Sequence, residues 1–188
     1  MDSGSPRGVT LVLGGVRSGK SRYAQRLAER GGRVGFIATA ERRDDEEMRR
    51  KIERHRSERP DHWITIEEPL DLASAIECGT RCCDLLLVDC LTLFAAKLLE
   101  AHGNDEEGIA SRVEALCAAL KSASPCAVIL VSNEVGSGVV PAFEMGRRYR
   151  DLLGEINQRV AAIADQVCLM VAGLPLGIKG SLNEEVRA

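Results

Sequence analysis

The chain has 188 residues, of which 45% are hydrophobic and only 3% aromatic, so it can bury one sizeable core of mainly aliphatic side chains. Its formal net charge of -3 gives no general attraction to nucleic acid or to an anionic membrane, and no apolar run reaches the roughly 20 residues that cross a bilayer. Residues 1–8 are polar, lack the apolar core of a secretory signal and are expected to be a flexible leader. We therefore predict a single domain over residues 9–180, followed by a polar tail at 181–188.

The seven cysteines are odd in number and scattered, and most lie in apolar surroundings, where Cys behaves as a small hydrophobic residue. Cys78, Cys82 and Cys83 are close together, but no His or further Cys follows them at the spacing of a zinc finger. We therefore predict reduced, structural thiols in a cytoplasmic protein.

The first predicted element is a buried strand, residues 9–13, which leads directly into Gly14-Gly15-Val16-Arg17-Ser18-Gly19-Lys20-Ser21. A Gly, four residues and then Gly-Lys-Ser form the pattern of a phosphate-binding loop. Gly14 and Gly19 allow the backbone N–H groups to approach phosphate oxygens. Lys20 adds positive charge beside the β- and γ-phosphates, and Ser21 offers a hydroxyl to Mg²⁺.

A helix is predicted over residues 21–30, because Tyr23, Ala24, Leu27 and Ala28 are spaced for one apolar face. The positive end of that helix would point at the phosphates. A glycine turn that binds nothing is the alternative, and the order strand, loop, helix disfavours it.

Strands and helices alternate along the rest of the chain, and the strands are continuously apolar. Further strands are predicted at 33–38, 63–66, 84–89, 127–132 and 166–172, and further helices at 70–78, 91–101, 105–122 and 145–164. This pattern predicts an α/β fold of the P-loop NTPase type, with a mainly parallel β-sheet and helices on both faces.

Ligands of such sheets bind at the carboxyl ends of the strands. The loops at these ends are residues 14–21, 39–41, 67–68, 89–90, 133–138 and 173–179. Asp89 ends one strand, where an acid in a phosphate-loop protein holds Mg²⁺; we favour this role over capping of the helix that starts near Leu91. Glu67 is either a second acid near the site or a solvated loop residue.

The strongly charged segment 41–60 has one distinctive face. Met48, Ile52 and His55 follow helical spacing, and Arg56 and Arg59 lie beside them. The arginines could neutralise phosphate oxygens, and a neutral imidazole could act as base or nucleophile. Spacing alone leaves an ordinary surface histidine as the more common interpretation of His55.

A regulatory GTPase would carry an Asn-Lys-x-Asp type of motif after its fifth strand. The corresponding loop here reads Ser132-Asn133-Glu134-Val135, which lacks the Lys and the Asp. A regulatory GTPase is therefore disfavoured, and the spacing does not reveal which base is preferred.

Taken together, these motifs resemble the bifunctional adenosylcobinamide kinase / adenosylcobinamide-phosphate guanylyltransferase family over residues 9–179. The resemblance is carried by Gly-Gly-Val-Arg-Ser-Gly-Lys-Ser (14–21), Ile-Ala-Thr-Ala (37–40), His-Arg-Ser-Glu-Arg-Pro…His-Trp (55–63), Leu-Leu-Val-Asp-Cys-Leu-Thr (86–92) and Ser-Asn-Glu-Val-Gly-Ser-Gly-Val-Val-Pro (132–141). The phosphate loop is generic, but the third and fifth of these motifs together are specific.

The resemblance implies two reactions of cobalamin biosynthesis. ATP or GTP phosphorylates adenosylcobinamide, and GTP then transfers GMP to adenosylcobinamide phosphate, which gives adenosylcobinamide-GDP and pyrophosphate. The family passes GMP through a histidine, which the motif match assigns to His55. The family also forms oligomers, so a homo-oligomer, such as a trimer, is expected, with no nucleic-acid partner and no membrane span.

The same match assigns the site residues. His55 and Lys20 are catalytic, and Ser21 and Asp89 hold Mg²⁺. The GTP-binding residues are Gly14, Gly15, Val16, Arg17, Ser18, Gly19, Lys20, Ser21, Ala38, Thr39, Ala40, Arg56, Ser57, Glu58, Arg59, Glu67 and Asp89.

Two other functions remain open at this stage. A simple phosphate-loop kinase of a small metabolite or nucleotide would phosphorylate its substrate and leave no label on the protein. A nucleotide-binding switch or assembly subunit would bind nucleotide tightly and hydrolyse it slowly, but it has no need of a nucleophile at His55.

Overall fold

A computed structural model describes residues 6–39 and 60–181. Its strands are β1 (Val9–Gly14), β2 (Val34–Ala38), β3 (Ile64–Glu67), β4 (Leu85–Asp89), β5 (Ala127–Asn133), β6 (Gln166–Val171) and β7 (Leu174–Lys179). Its helices, numbered within these ranges, are α1 (Lys20–Ala28), α2 (Leu72–Gly79), α3 (Leu91–His102), α4 (Glu106–Ser122) and α5 (Glu144–Ile163). The predicted boundaries of these elements, β7 excepted, differ from the observed ones by two residues at most.

The described strands form one sheet in the order β3-β2-β4-β5-β1-β6-β7. Neighbouring strands from β3 to β6 are parallel, so their carboxyl ends meet at one edge. β5 lies between β1, which carries the phosphate loop, and β4, which ends at Asp89. The predicted, mainly parallel sheet is confirmed.

β7 is not predicted by the sequence pattern, which indicates a last strand at residues 166–172 and a carboxyl-end loop at 173–179. The strand itself is confirmed at Gln166–Val171, but it is not the last one, and residues 174–179 are a strand and not a loop. Ala172 and Gly173 adopt positive φ angles of 51° and 84° and reverse the chain, and β7 then pairs antiparallel with β6. Pro175 and Gly177 disguise the strand, and its side chains are largely exposed, so it has no buried apolar run.

Side chains alternate between the two faces of the sheet and form two apolar layers. Val12, Leu87 and Ile129 pack with α1 on one face, while Leu11, Leu86 and Leu130 pack with α2, α3, α4 and α5 on the other. The predicted apolar face of α1 is buried in the first layer. Helices therefore cover both faces, as predicted.

Polar contacts fix the amino-terminal edge of the sheet, opposite the phosphate loop. The backbone N–H of Val9 donates to Asp165 Oδ2 at 2.8 Å, and the Arg33 guanidinium donates to Asp84 Oδ1 at 3.1 Å. The hydrogen bond from Arg33 holds the pKa of Asp84 below its ordinary value. These pairs orient the strands and lie at the edge of the sheet opposite the carboxyl-end loops.

All seven cysteines are free thiols, as predicted, and four of them are buried. Cys82 Sγ and Cys83 Sγ lie 3.7 Å apart. In the described ranges, 6–39 and 60–181, no group of three or more His, Cys, Asp or Glu side chains is arranged to hold a metal ion. No described helix has the length and apolar character that crossing a membrane requires.

Candidate nucleotide site

The segment 14–21 forms a tight loop between β1 and α1. The N–H of Ser18 donates to the Gly15 carbonyl O at 3.2 Å, and the N–H of Tyr23 donates to the Gly19 carbonyl O at 3.0 Å, which begins the helix. Arg17 and Gly19 have positive φ angles of 57° and 92°. Successive N–H groups in such a turn face one concave side, where an anion binds.

Two of the loop glycines have different packing. A Cβ at Gly14 would lie 2.9 Å from the Met170 carbonyl O and would also collide with Ser18 Oγ, so only glycine fits there. A Cβ at Gly15 would have no neighbour within 4 Å. Gly14 is therefore needed for the packing of the loop, whereas the space above Gly15 is open to a ligand.

Lys20 is the first residue of α1, and its ammonium folds back over the loop. Lys20 Nζ donates to the Gly15 carbonyl O at 3.1 Å. Burial lowers the pKa of Lys20, and the charges that Cys90 and Asp89 carry when they are ionised act in the opposite direction. The ammonium thus lies between the loop and the end of β4, where it can move to an incoming phosphate.

Neighbouring strands support the loop from two sides. The N–H of Gly173, in the turn between β6 and β7, donates to the Ser18 carbonyl O at 3.0 Å. The N–H of Glu134, directly after β5, donates to the Gly14 carbonyl O at 3.3 Å. These contacts are not predictable from the sequence, because the two partners in each are more than 100 residues apart along the chain.

The ends of β3, β2 and β4 place three predicted site residues in one row. Ala38 pairs with Glu67 on one side and with Asp89 on the other. The N–H of Glu68 donates to the Ala38 carbonyl O at 3.1 Å and extends the row by one residue. Ser21 lies half-buried in the first turn of α1.

Thr39 is fully buried and joins the ends of β2 and β4. Its Oγ1 donates to the Cys90 carbonyl O at 2.9 Å and accepts from the Cys90 N–H at 2.8 Å. Burial raises the pKa of the Cys90 thiol to about 11, so it is neutral at physiological pH. Thr39 therefore fixes the backbone next to Asp89, a role that the sequence motif did not reveal.

A buried polar network holds the end of β5. Ser132 Oγ donates to Asn157 Oδ1 at 2.6 Å, and Asn157 Nδ2 donates to the Asn133 carbonyl O at 3.0 Å. The Asn133 N–H donates to Thr92 Oγ1 at 3.3 Å. Both backbone groups of Asn133 are thus bonded to side chains, and its carboxamide lies at the sheet edge beside the phosphate loop.

The remaining predicted site residues lie outside the described residues. They are Ala40, His55, Arg56, Ser57, Glu58 and Arg59. Val16 is 86% exposed at the tip of the loop, and Gly15 and Arg17 beside it are exposed as well.

A mainly parallel sheet with a Gly-x-x-x-x-Gly-Lys-Ser loop opening its first helix defines the class of P-loop nucleotide-binding proteins. The fold is similar to a solved ATPase from the type III secretion system of pathogenic bacteria, with a TM-score of 0.54 and 14% identity over 95% of this chain and 60% of that one. This likeness confirms the predicted fold class.

The sequence defines the family. The profile described as "Cobinamide kinase / cobinamide phosphate guanyltransferase" matches residues 10–178, and the chain belongs to this family. Similar curated proteins are the bifunctional adenosylcobalamin biosynthesis protein CobP of Pseudomonas aeruginosa (48% identical, covering 90% of this chain and 96% of that protein) and CobU of Escherichia coli K12 (39% identical, covering 90% and 98%). The family resemblance drawn from the motifs is confirmed.

Proposed function

We propose that this protein is a bifunctional enzyme of adenosylcobalamin biosynthesis. It phosphorylates adenosylcobinamide with ATP or GTP, and it then transfers GMP from GTP to adenosylcobinamide phosphate, releasing pyrophosphate. The observation that carries the proposal is membership of the kinase and guanyltransferase family over residues 10–178. The preformed loop at 14–21 supports it, because both reactions begin with a bound nucleoside triphosphate.

The phosphate loop and Lys20 bind the triphosphate in this proposal. Loop N–H groups and the N-terminus of α1 face the β- and γ-phosphates, and Lys20 Nζ leaves the Gly15 carbonyl O to contact them. Hydrogen-bond donors aimed at the phosphates stabilise the charge that develops on the leaving group in either reaction. Lys20 is therefore assigned a catalytic as well as a binding role.

Ser21 and Asp89 are the residues that would hold Mg²⁺. A hydroxyl and a carboxylate are the oxygen ligands that this ion takes, and Mg²⁺ commonly binds one or two protein groups together with substrate phosphates. Such a site needs no cluster of three protein ligands. Bound Mg²⁺ would neutralise charge on the phosphate oxygens during transfer.

His55 is assigned the transfer of GMP. Its neutral imidazole attacks the α-phosphorus of GTP, the bond to the β-phosphate oxygen breaks, and pyrophosphate leaves. A phosphate oxygen of adenosylcobinamide phosphate then attacks the same phosphorus, the P–N bond breaks and His55 is regenerated. The proposal rests on the motif match, since His55 lies outside the described residues.

The other nucleotide contacts are proposed at Ala38, Thr39, Ala40, Arg56, Ser57, Glu58, Arg59 and Glu67. Ala38 and Glu67 are neighbours at the edge that carries Asp89. The Thr39 hydroxyl is already bonded to Cys90, so we assign any contact it makes with nucleotide to its backbone.

We propose that the protein is a homo-oligomer, with a trimer as the expected form. The exposed apolar surface near β7 supports this proposal. Val171, Leu174, Leu176 and Ile178 are each more than half exposed on the outer pair of strands. An edge strand with apolar side chains is commonly covered by another chain. Light scattering of the purified protein at several concentrations tests this, and a monomer throughout would refute it.

The decisive experiment incubates the protein with Mg²⁺ and GTP labelled at the α-phosphate, beside a γ-labelled control and a His55→Ala variant. We expect acid-labile, alkali-stable protein label from the α-position alone, and none in His55→Ala, which should keep the kinase reaction. If the protein binds nucleotide and phosphorylates adenosylcobinamide but carries no label, it is a simple kinase without the guanylyltransfer activity. Label that survives His55→Ala would contradict the assignment of the nucleophile.

A further inference from the structure

The Asn133 side chain has no place in the function proposed above. Asn133 ends β5, pairs with Gly14 at the start of the phosphate loop, and lies two residues after Val131, which pairs with Asp89. Its Oδ1 is buried without a hydrogen-bond partner. A buried acceptor without a partner is destabilising, so the site is suited to a donor that arrives with a ligand.

Strand alternation places Asn133 on the same side of the sheet as the phosphate loop. Val12, Leu87 and Val131 all belong to the apolar layer that packs on α1. Gly14, Asp89 and Asn133 follow these three residues by two positions each, so they project to that same side. Asn133 therefore lies between the start of the loop and the proposed magnesium ligand.

The backbone of Asn133 is held in place, which leaves its carboxamide as the group that can respond to a ligand. The N–H is bonded to Thr92 and the carbonyl O to Asn157, while the residue itself is half-buried. The fixed backbone therefore holds the carboxamide at the carboxyl end of β5, beside the phosphate loop.

The chemistry of the substrates selects the donor. Phosphate oxygens of a nucleotide bound in Mg²⁺ form only accept hydrogen bonds, so they cannot satisfy Oδ1. In the proposed complex, the Lys20 ammonium donates its hydrogen bonds to the phosphates of the bound nucleotide. Among the groups that react at the γ-phosphate in the kinase reaction, the one that carries a hydrogen-bond donor is the acceptor hydroxyl.

We propose that Asn133 Oδ1 accepts the hydrogen bond of the acceptor hydroxyl in the kinase reaction and orients its oxygen toward the γ-phosphorus. This inference rests on the function proposed above. The hydroxyl oxygen forms a bond to the γ-phosphorus, the bond from that phosphorus to the β-phosphate oxygen breaks, nucleoside diphosphate leaves, and the hydroxyl proton passes to water. The neutral amide positions the nucleophile and does not act as a base.

The test compares Asn133→Ala with Asn133→Asp, which keeps an acceptor oxygen but loses the amide donor. At saturating nucleotide and adenosylcobinamide, we expect the kinase kcat of Asn133→Ala to fall roughly 100-fold, the scale of a misplaced nucleophile. Asn133→Asp should recover most of this loss. Nucleotide affinity and α-phosphate labelling of the protein should stay unchanged in Asn133→Ala, because GMP transfer to His55 uses no hydroxyl.

Ser132→Ala is the matched control at the neighbouring position. Ser132 faces the opposite side of the sheet and supports Asn157, so its loss should lower thermal stability and leave the ratio of the two activities unchanged. The inference is overturned if Asn133→Ala keeps its kinase kcat, if kinase and labelling fall together, or if Asn133→Asp is no better than Asn133→Ala. Failure of the wild-type protein to phosphorylate adenosylcobinamide would instead refute the proposed function, and this inference with it.

Discussion

Replacing Thr39 by Val should uncouple the ends of β2 and β4 while nearly preserving the shape of the side chain. The Cys90 N–H loses the 2.8 Å bond to Thr39 Oγ1, and the Cys90 carbonyl O loses the 2.9 Å bond from the same hydroxyl. That carbonyl keeps a 3.4 Å contact from the N–H of Phe94, whereas the Cys90 N–H has no other bond in the described structure.

The expected cost of Thr39→Val is about 2 kcal/mol, which is mainly the penalty for one buried donor without a partner. For a chain of this size, that corresponds to a melting temperature lower by about 4–8 °C. Affinity for Mg²⁺-nucleotide should fall as well, because Asp89 precedes the freed backbone. Thermal unfolding and nucleotide titration measure the two effects.

Thr39→Ser is the matched control, because it keeps the hydroxyl and loses one methyl group. We expect it to cost about 1 kcal/mol from the cavity and to retain nucleotide affinity. The reasoning is refuted if Thr39→Val is as stable as the wild type, or if Thr39→Ser loses as much affinity as Thr39→Val.

Three further predictions concern the loop, its lysine and a buried thiol. Gly14→Ala should lower the free energy of unfolding, because its Cβ would meet the Met170 carbonyl O at 2.9 Å. Gly15→Ala is the control and should leave the unfolding of the nucleotide-free protein unchanged, because a Cβ there has no neighbour within 4 Å. Equal effects of the two variants in urea titrations would contradict this. Lys20→Met should weaken triphosphate binding by about 10- to 100-fold, the worth of a charge-assisted hydrogen bond, and undiminished binding by calorimetry would exclude the proposed contact. Burial raises the pKa of Cys168 to about 12. The Cys168 thiol therefore loses its proton at a lower pH in the unfolded chain than in the folded protein. Its contribution to the free energy of unfolding is fully present below about pH 8.5 and should be lost as the pH rises toward 12. In urea unfolding at alkaline pH, the free energy of unfolding of Cys168→Ala should fall less steeply with pH than that of the wild type. An equal dependence on pH in the two proteins would contradict the role of the buried thiol.

The parallel core was predictable because its strands are buried on both faces and therefore read as continuous apolar runs. Leu85–Asp89 and Ala127–Asn133 are examples. The phosphate loop was predictable for a different reason, since its chemistry depends on a short, local sequence. Both kinds of signal lie within single segments of the chain.

The contacts that shape the site were not predictable in this way, because they depend on register between distant segments. Thr39 and Cys90 are 51 residues apart, and only the pairing of β2 with β4 brings them together. Asn157 reaches Asn133 from a helix whose amphipathic pattern gives no hint of that hydrogen bond. β7 was not predictable because its alternating apolar residues Leu174, Leu176 and Ile178 are separated by Pro175 and Gly177, and the strand depends on antiparallel pairing with β6.

The position of β1 in the sheet sets the time at which the nucleotide site can form during synthesis. β1 is made before the other described strands, yet it pairs with β5 and β6, and Val9 is joined to Asp165 across 156 residues of chain. At ribosomal rates of 5–20 residues per second, β5 emerges roughly 6–24 s after β1, and β6 roughly 8–30 s after it. Until then the phosphate loop has neither Met170 beneath it nor Gly173 beside it. A nascent chain should therefore acquire affinity for nucleotide late and abruptly, when β5, β6 and the turn at Gly173 have left the ribosome.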